Sequence, residues 1–256
     1  MREALRSIAM RVRDAIQDLP DGFDRGEELY IGADGTPTSG IDKVAEDAIL
    51  RAVDELDLEA NVLSEECGLV DRGYEDTLVI DPIDGTHNAV MGVPFYSVSL
   101  ALGKDTLLGV RDALVLNLVN GDLFHAEKGK GATLNGCELR VRSNAGPPAM
   151  VFYMGRCVHP RTFELVKRAS RVRAMGCASL EMCLVARGHF DGYYFNAEFH
   201  ANCIRVVDIA ASSLVLREAG GELVDLRGDR LDMPFDLAAR SNFLAYGDER
   251  TKEILL

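Results

Sequence analysis

The sequence predicts an α+β / α/β fold built as one compact unit of two closely packed halves, and three observations lead there. Residues 107–141 run or alternate in apolar character and break at Asn120-Gly121 and Asn135-Gly136, as an antiparallel meander does. After Ser143-Asn144-Ala145-Gly146-Pro147-Pro148 the pattern changes to alternating strands and helices, which implies a largely parallel sheet. With 256 residues and 47% apolar content, the chain can bury a sizeable core without a linker. The expected division is residues 1–145, an α+β half with the antiparallel sheet, and residues 146–256, an α/β half.

In chain order, Leu5, Ile8, Val12, Ala15, Ile16 and Leu19 recur at helical spacing over residues 2–19, and Pro20 ends that helix. Residues 21–40 are rich in Gly, Asp, Pro and Thr and only residues 28–31 look strand-like, so a mobile hairpin or loop able to close over a site is expected. Ile41, Val44, Ala45, Ala48, Ile49, Ala52, Val53 and Leu56 predict a second helix, with Thr38, Ser39 or Gly40 at its start and Asp42 in its first turn. A carboxylate there also simply suits the helix dipole. A short strand over residues 61–63 delivers Ser64, Glu65 and Glu66, and residues 78–80 form a buried strand that delivers Asp81. Strands over residues 97–104 and 107–117 follow.

The second half reads as strand 150–154, helix 161–169, strand 172–175, helix 179–186 and strand 190–195. Helix 206–219 carries Ala210, Ala211 and Ser212 along it, and Gly220-Gly221 closes it. Asp208 falls in its first turn, again a position the dipole alone would favour. Strands near 222–225 and 243–246 and a short helix from Asp248 finish the chain.

Charge and cysteine usage narrow the function. A net charge of −13 argues against a nucleic-acid surface, although carboxylates neutralised by bound cations still attract phosphate. Six scattered cysteines lack zinc-site spacing, and most of them read as small buried hydrophobes. No apolar stretch approaches the roughly 18 residues of a membrane span, and Met1-Arg2-Glu3 does not begin a signal peptide, so a cytoplasmic protein without membrane or nucleic-acid partners is expected.

Residues 77–88, TLVIDPIDGTHN, concentrate the chemistry. Pro82 cannot donate to a neighbouring strand and pushes Asp81 toward extended geometry, so a turn is expected directly after Asp81, with Asp84 on it. The two side chains and the Ile83 carbonyl then offer three oxygens to a hard divalent cation, magnesium before zinc. Gly85 lets the backbone approach an anion closely, and Thr86 stands at a helix start whose N–H groups face a phosphate. Read by itself, the segment is also a tight turn with a cap.

Glu65-Glu66, Asp81-Pro82-Ile83-Asp84-Gly85-Thr86, and Asp208 followed by Ile-Ala-Ala and Glu218-Ala219-Gly220-Gly221 together resemble the inositol monophosphatase family over nearly the full length. The resemblance implies a layered α-β-α-β-α sandwich, a homodimer, and two or three magnesium ions held by Glu65, Asp81, the Ile83 carbonyl, Asp84 and Asp208. It makes Asp42 and Thr86 the pair that orients the attacking water, with Glu65 helping to activate it, and gives Gly85 and Thr86 the phosphate. Val207, Ser64 and His87 depart from the commoner family residues, and residues 36–42 with 204–208 look more like the archaeal branch, whose substrates are inositol monophosphate and fructose 1,6-bisphosphate. The implied substrate is thus a small phosphorylated polyol or sugar.

Ala178, Ser179 and Arg205 are further candidates for substrate contact, Arg205 being equally readable as a surface arginine. Arg156 and Arg173 are weaker ones, and His87 is set apart only by its place beside Thr86. Residues 27–40 are expected to offer a third, weaker magnesium site when closed. Two alternatives stand beside this reading: a 3′(2′),5′-bisphosphate nucleotidase, against which the lack of tryptophan and scarcity of aromatic residues near the motifs speak, and an inactive metal-binding regulatory dimer.

Overall fold

A computed structural model describes residues 1–143 and 145–256. Helix α1 (Arg2–Gln17) leads to a two-stranded hairpin, β1 (Glu28–Ile31) and β2 (Pro37–Ser39), and then to α2 (Gly40–Glu55). Strands β3 (Asn61–Ser64), β4 (Gly68–Val70) and β5 (Thr77–Asp84) follow. After the short helix α3 (Thr86–Met91) come β6 (Ser97–Gly103), β7 (Val110–Asn117), β8 (Leu123–Glu127), β9 (Ala132–Leu134) and β10 (Cys137–Glu138). Strands β3 to β10 form one eight-stranded sheet in the order β10-β9-β8-β7-β6-β5-β3-β4, antiparallel except for the β3–β5 pair. The expected meander is its β7 to β10 side.

The second half contains β11 (Ala149–Phe152), α4 (Arg161–Val166), β12 (Arg171–Arg173), α5 (Ala178–Ala186), β13 (Gly192–Phe195), β14 (Ile204–Arg205), α6 (Val206–Glu218), β15 (Glu222–Val224), β16 (Arg240–Ser241), β17 (Phe243–Tyr246) and α7 (Glu249–Leu255). Five of these strands make a sheet ordered β12-β11-β13-β17-β15. Strands β11, β12, β13 and β15, which alternate with helices, all run one way; β17 follows β15 with no helix between, fills the slot beside β13, and runs opposite to both neighbours. The expected parallel sheet is therefore mixed at one position, because antiparallel strands need no crossover helix. The pattern break at residues 143–148 includes residue 144, which lies outside the described residues.

Period-two alternation divides each sheet's side chains between two layers. Leu78, Ile80, Leu100, Leu102, Leu114 and Leu116 face α1 and α2, whereas Val79, Ala101, Ala113 and Val115 face α5 and α6. In the smaller sheet Val151, Tyr193, Phe195 and Phe243 face that same pair of helices, and Met150, Phe152, Tyr194 and Leu244 face α4 and α7. The result is five layers, α-β-α-β-α. Helix α6 lies in the middle layer and is buried without a break over residues 206–216, so it is apolar all round, with Ala210, Ala211, Ser212 and Ser213 admitting close neighbours. Each fully buried side chain such as Ile80 or Leu100 contributes about 1.5–3 kcal/mol. Among the described residues, no helix is long and apolar enough to cross a membrane.

Candidate active site

Alternation also aims the acids. Val79 faces the middle layer, so Asp81, two residues on, points there as well, and Glu65 shares the parity of Leu63, which packs in that same layer. Asp84 is three residues beyond Asp81 and would face the other way in a regular strand. Instead β5 bulges: Asp81 pairs with Ser99 and Asp84 with Ser97, so three steps on β5 oppose two on β6. The extra residue returns Asp84 to the side of Asp81. This corrects the expected turn after Asp81; the strand continues through Pro82 to Asp84, and the chain leaves it at Gly85, whose φ of +87° only glycine adopts without strain.

Glu65, Asp81, Ile83, Asp84, Gly85, Thr86 and Asp208 line a single cavity of about 570 Å³. The four acids are 7%, 2%, 8% and 7% exposed in the order Glu65, Asp81, Asp84, Asp208. Burial pushes the Asp81 carboxyl well above the usual carboxylate range, and the neighbouring charges of Glu65, Asp84 and Asp208 push it further. Glu65 is raised by burial too, against the pull of Arg205 and with Asp208 and Glu66 adding to the rise. Asp81 Oδ1 is buried with no hydrogen-bond partner among the described residues. Oxygen-only donors, like charges crowded in a buried cluster and one unsatisfied carboxylate oxygen suit a hard divalent cation. No three acid, cysteine or histidine side chains among the described residues form a ready-made metal cage. A guanidinium, that of Arg205, lies between Glu65 and Asp208.

Thr86 begins α3, and its hydroxyl lies 2.9 Å from both Asp42 Oδ1 and the Ile83 carbonyl, so its single proton can serve one of them at a time. Asp42 caps the first turn of α2: its Oδ2 accepts from the Ser39 N–H at 3.1 Å and the Ser39 hydroxyl at 2.6 Å. Burial raises its pKa, and the bonds from Ser39 and Thr86 oppose that rise.

Asp84 is held from across the molecule. Its Oδ1 accepts the Ala178 N–H at 3.1 Å; its Oδ2 accepts the Ser179 N–H at 2.6 Å, the Ser179 hydroxyl at 2.5 Å and the Cys177 thiol at 3.1 Å. A strand of one sheet thus caps the start of α5, which packs on the other. Ala178 lines the cavity, but Ser179 is wholly buried, bonded to Asp84 and Ser97, and supports the acid from below instead of facing substrate. Burial raises the Asp84 pKa in spite of these donors.

Arg205 lines the cavity, yet its guanidinium is spent on acids. Nη1 contacts Asp34 and lies 2.5 Å from Glu65, and Nη2 donates to Asp208 Oδ1 at 3.0 Å. It is not the surface arginine that the sequence allowed; it borders the cavity with most of its donors engaged by acids. Arg156 and Arg173 are exposed and stand outside the cavity lining, whereas His87 is part of it.

Sequence reasoning missed several lining residues. Tyr153, Met154, Gly155, Met175, Tyr193 and Phe195 make a largely apolar wall opposite the acids, with the rings of Tyr153 and Phe195 stacked at 4.3 Å and 27°. Tyr153 and Tyr193 lie outside the metal motifs in the chain, which is why the scarcity of aromatic residues near those motifs did not reveal them. Glu181 was read only as part of a helix; it is 2% exposed, accepts the Met175 N–H at 2.6 Å and the Gly176 N–H at 3.2 Å, and burial lifts its pKa to about 7. Asn88 holds the same segment from the other side, donating to the carbonyls of Met175 at 2.7 Å and Phe95 at 2.8 Å.

Comparison with known proteins places this geometry. Residues 3–255 match the profile of the Inositol monophosphatase family. A fructose-1,6-bisphosphatase/inositol-1-monophosphatase of Thermococcus kodakarensis is 35% identical over 99% of this chain and 95% of its own length. A bifunctional NADP phosphatase/NAD kinase of Methanococcus maripaludis is 30% identical over 100% of this chain, which spans 48% of that protein. A solved structure from Pyrococcus horikoshii, described as similar to inositol-1 monophosphatase, superposes with a TM-score of 0.86 at 30% identity, covering 99% of this chain and 96% of that one.

Proposed function

The chain belongs to the inositol monophosphatase family and is a phosphatase, and from that premise we propose that it is a magnesium-dependent phosphomonoesterase acting on inositol monophosphate, fructose 1,6-bisphosphate or both. The observation that carries the proposal is the buried, unpartnered Asp81 Oδ1 among three further acids in one cavity. Glu65, Asp81, the Ile83 carbonyl, Asp84 and Asp208 would hold the ions, two or three in number. Bound magnesium supplies neutralising charge to the phosphoryl oxygens and acidifies water.

The chain's own groups do the rest. The Thr86 hydroxyl, donating to Asp42, leaves its oxygen lone pair to accept a hydrogen bond from the attacking water, and so fixes where that water stands. Asp42 takes the proton passed along through Thr86; burial makes it a stronger base than an ordinary carboxylate. The first-turn N–H groups of α3 have no intrahelical partner and can bind phosphoryl oxygen, with Gly85 bringing the backbone close. The residues Tyr153, Met175 and Phe195 give the cavity an apolar side against which the substrate's carbon skeleton can lie.

A second substrate class is favoured by the half-buried Tyr153 ring, which lines the cavity backed by Phe195, an aromatic face that suits a flat base better than a polyol. An NADP-type or 3′,5′-bisphosphate nucleotide would lay its base there. Phosphate release from inositol 1-phosphate, fructose 1,6-bisphosphate, adenosine 3′,5′-bisphosphate and NADP, each with and without magnesium, tests both. Magnesium-dependent release from at least one of the first two supports the main proposal, release confined to the nucleotides supports the second, and no release from any of the four refutes both. The homodimer that the family implies is tested by light scattering of the full chain.

A further inference from the structure

We propose that Arg205 is a positioning residue, a permanent cation that fastens the β1–β2 hairpin to the acids Glu65 and Asp208, so that hairpin docking and divalent-cation affinity are coupled through one guanidinium.

The hairpin has little core of its own. Leu29, Tyr30 and Ile31 are 44%, 41% and 66% exposed, so apolar burial does not hold it down. Its tip is held by polar contacts instead. The Ala33 N–H donates to the Glu66 carbonyl at 3.0 Å and the Asp34 N–H to the Glu65 carbonyl at 3.0 Å. Gly32 passes so near that a Cβ there would lie 2.8 Å from Glu66 Oε2 and 3.1 Å from the Glu65 carbonyl. The Asp34 side chain, 1% exposed, meets Arg205 Nη1.

Arg205 in turn engages all three of its guanidinium nitrogens. Besides Asp34, Nη1 serves Glu65; Nη2 and Nε both face Asp208 Oδ1, at 3.0 and 3.2 Å, and its backbone N–H donates to Asp208 Oδ2 at 2.9 Å. A planar fork can reach three carboxylates from three elements at once, which a lysine ammonium on its flexible stem does not. Charge gives the arrangement a second consequence. Asp34, Glu65, Asp81, Asp84 and Asp208 carry five negative charges when ionised; with Arg205 the cluster stands at minus four, which two divalent cations balance. Arg205 thereby also claims Asp34, whose carboxylate otherwise serves only the Thr36 N–H and hydroxyl within the hairpin.

The coupling rests on the metal assignment proposed above, whereas the fastening does not, and the experiment separates them. In metal-free full-length protein, hydrogen exchange at the Ala33 amide is compared among wild type, Arg205→Met, Arg205→Lys and Asp34→Asn. Loss of a charge-assisted contact should speed it by roughly tenfold in each variant. Asp34→Asn changes only a loop side chain and keeps an oxygen to accept the Thr36 N–H, so it reports on the Arg205 contact even if Arg205→Met misfolds. Calorimetric titration with manganese chloride then reads affinity. Removing a fixed positive charge should lower the manganese dissociation constant of Arg205→Met by roughly three- to tenfold, and Arg205→Lys should return it toward wild type without restoring Ala33 protection. Unchanged Ala33 exchange in Asp34→Asn overturns the fastening; unchanged or weaker manganese binding in Arg205→Met overturns the coupling. Absence of manganese binding to wild type refutes the metal assignment instead, with the exchange data still deciding the fastening.

Discussion

Replacing Glu181 by glutamine should make the protein's stability less sensitive to pH. The Glu181 side chain is buried in the first turn of α5, and burial, only partly offset by the Met175 N–H and the Tyr193 hydroxyl, raises its pKa from 4.5 to about 7. A carboxyl whose pKa is higher in the folded state stabilises the fold when protonated. That contribution is complete below pH 4.5 and disappears as pH climbs through 7. At 1.36 kcal/mol per unit, the wild type loses about 3 kcal/mol from this group across that window, an order-of-magnitude figure. Glutamine keeps the carbonyl that accepts from Met175 and Gly176 and has no charge to bury. In urea melts in EDTA buffer, the stability of Glu181→Gln minus that of wild type should therefore rise between pH 5 and pH 8, by about 1–3 kcal/mol. For a chain of this size that corresponds to about 2–4 °C in Tm per kcal/mol. Taking the difference cancels the other buried acids, which titrate in both proteins. Parallel stability curves across the window would show that Glu181 is ionised in the fold throughout, and the argument from burial would be wrong.

Four further variants test the site. Asp84→Asn should abolish most phosphate release and also cost about 1–3 kcal/mol in denaturant melts, since four donors from residues 177–179 lose a charged acceptor; Asp208→Asn should lower activity by orders of magnitude, and full turnover in either would remove its ligand assignment. Thr86→Val should lower kcat about 10²–10⁴-fold while costing only about 1–3 kcal/mol in denaturant melts, because it removes both the hydroxyl that stands between water and Asp42 and one donor to that buried carboxylate. Gly85→Ala should destabilise by about 1–3 kcal/mol, read as a drop in Tm, since the φ of +87° is strained for alanine and the added Cβ would meet the Cys177 Cβ and the Gly176 and Phe95 carbonyls at 3.2 Å.

The acids were legible before the structure because each sits at a place that local patterning marks: the end of an apolar run at Glu65 and Asp81, a first helical turn at Asp42 and Asp208. Two periodicities and a few Gly-Gly and Asn-Gly breaks likewise sufficed for most helices and strands. The bulge between Asp81 and Asp84 was not legible, since a proline inside a strand reads as its end unless the neighbouring strand is known to yield. Nor was the role of Arg205, whose partner Asp34 is 171 positions away. The apolar wall gave no signal either, because Tyr153, Met175 and Phe195 look like ordinary strand and loop residues until two sheets bring them to one cavity.

Helix α6 has no solvent face over residues 206–216, so the last acid grows from a shaft clamped between two sheets and cannot drift without disturbing both. The segments at residues 153–155 and 174–177, by contrast, lie outside every helix and strand and form the cavity's far edge. Chemistry and selectivity are thus mounted on different parts of the scaffold. An engineer wishing to move this catalyst to a new phosphate ester should leave the clamped shaft alone and vary only those two short edges.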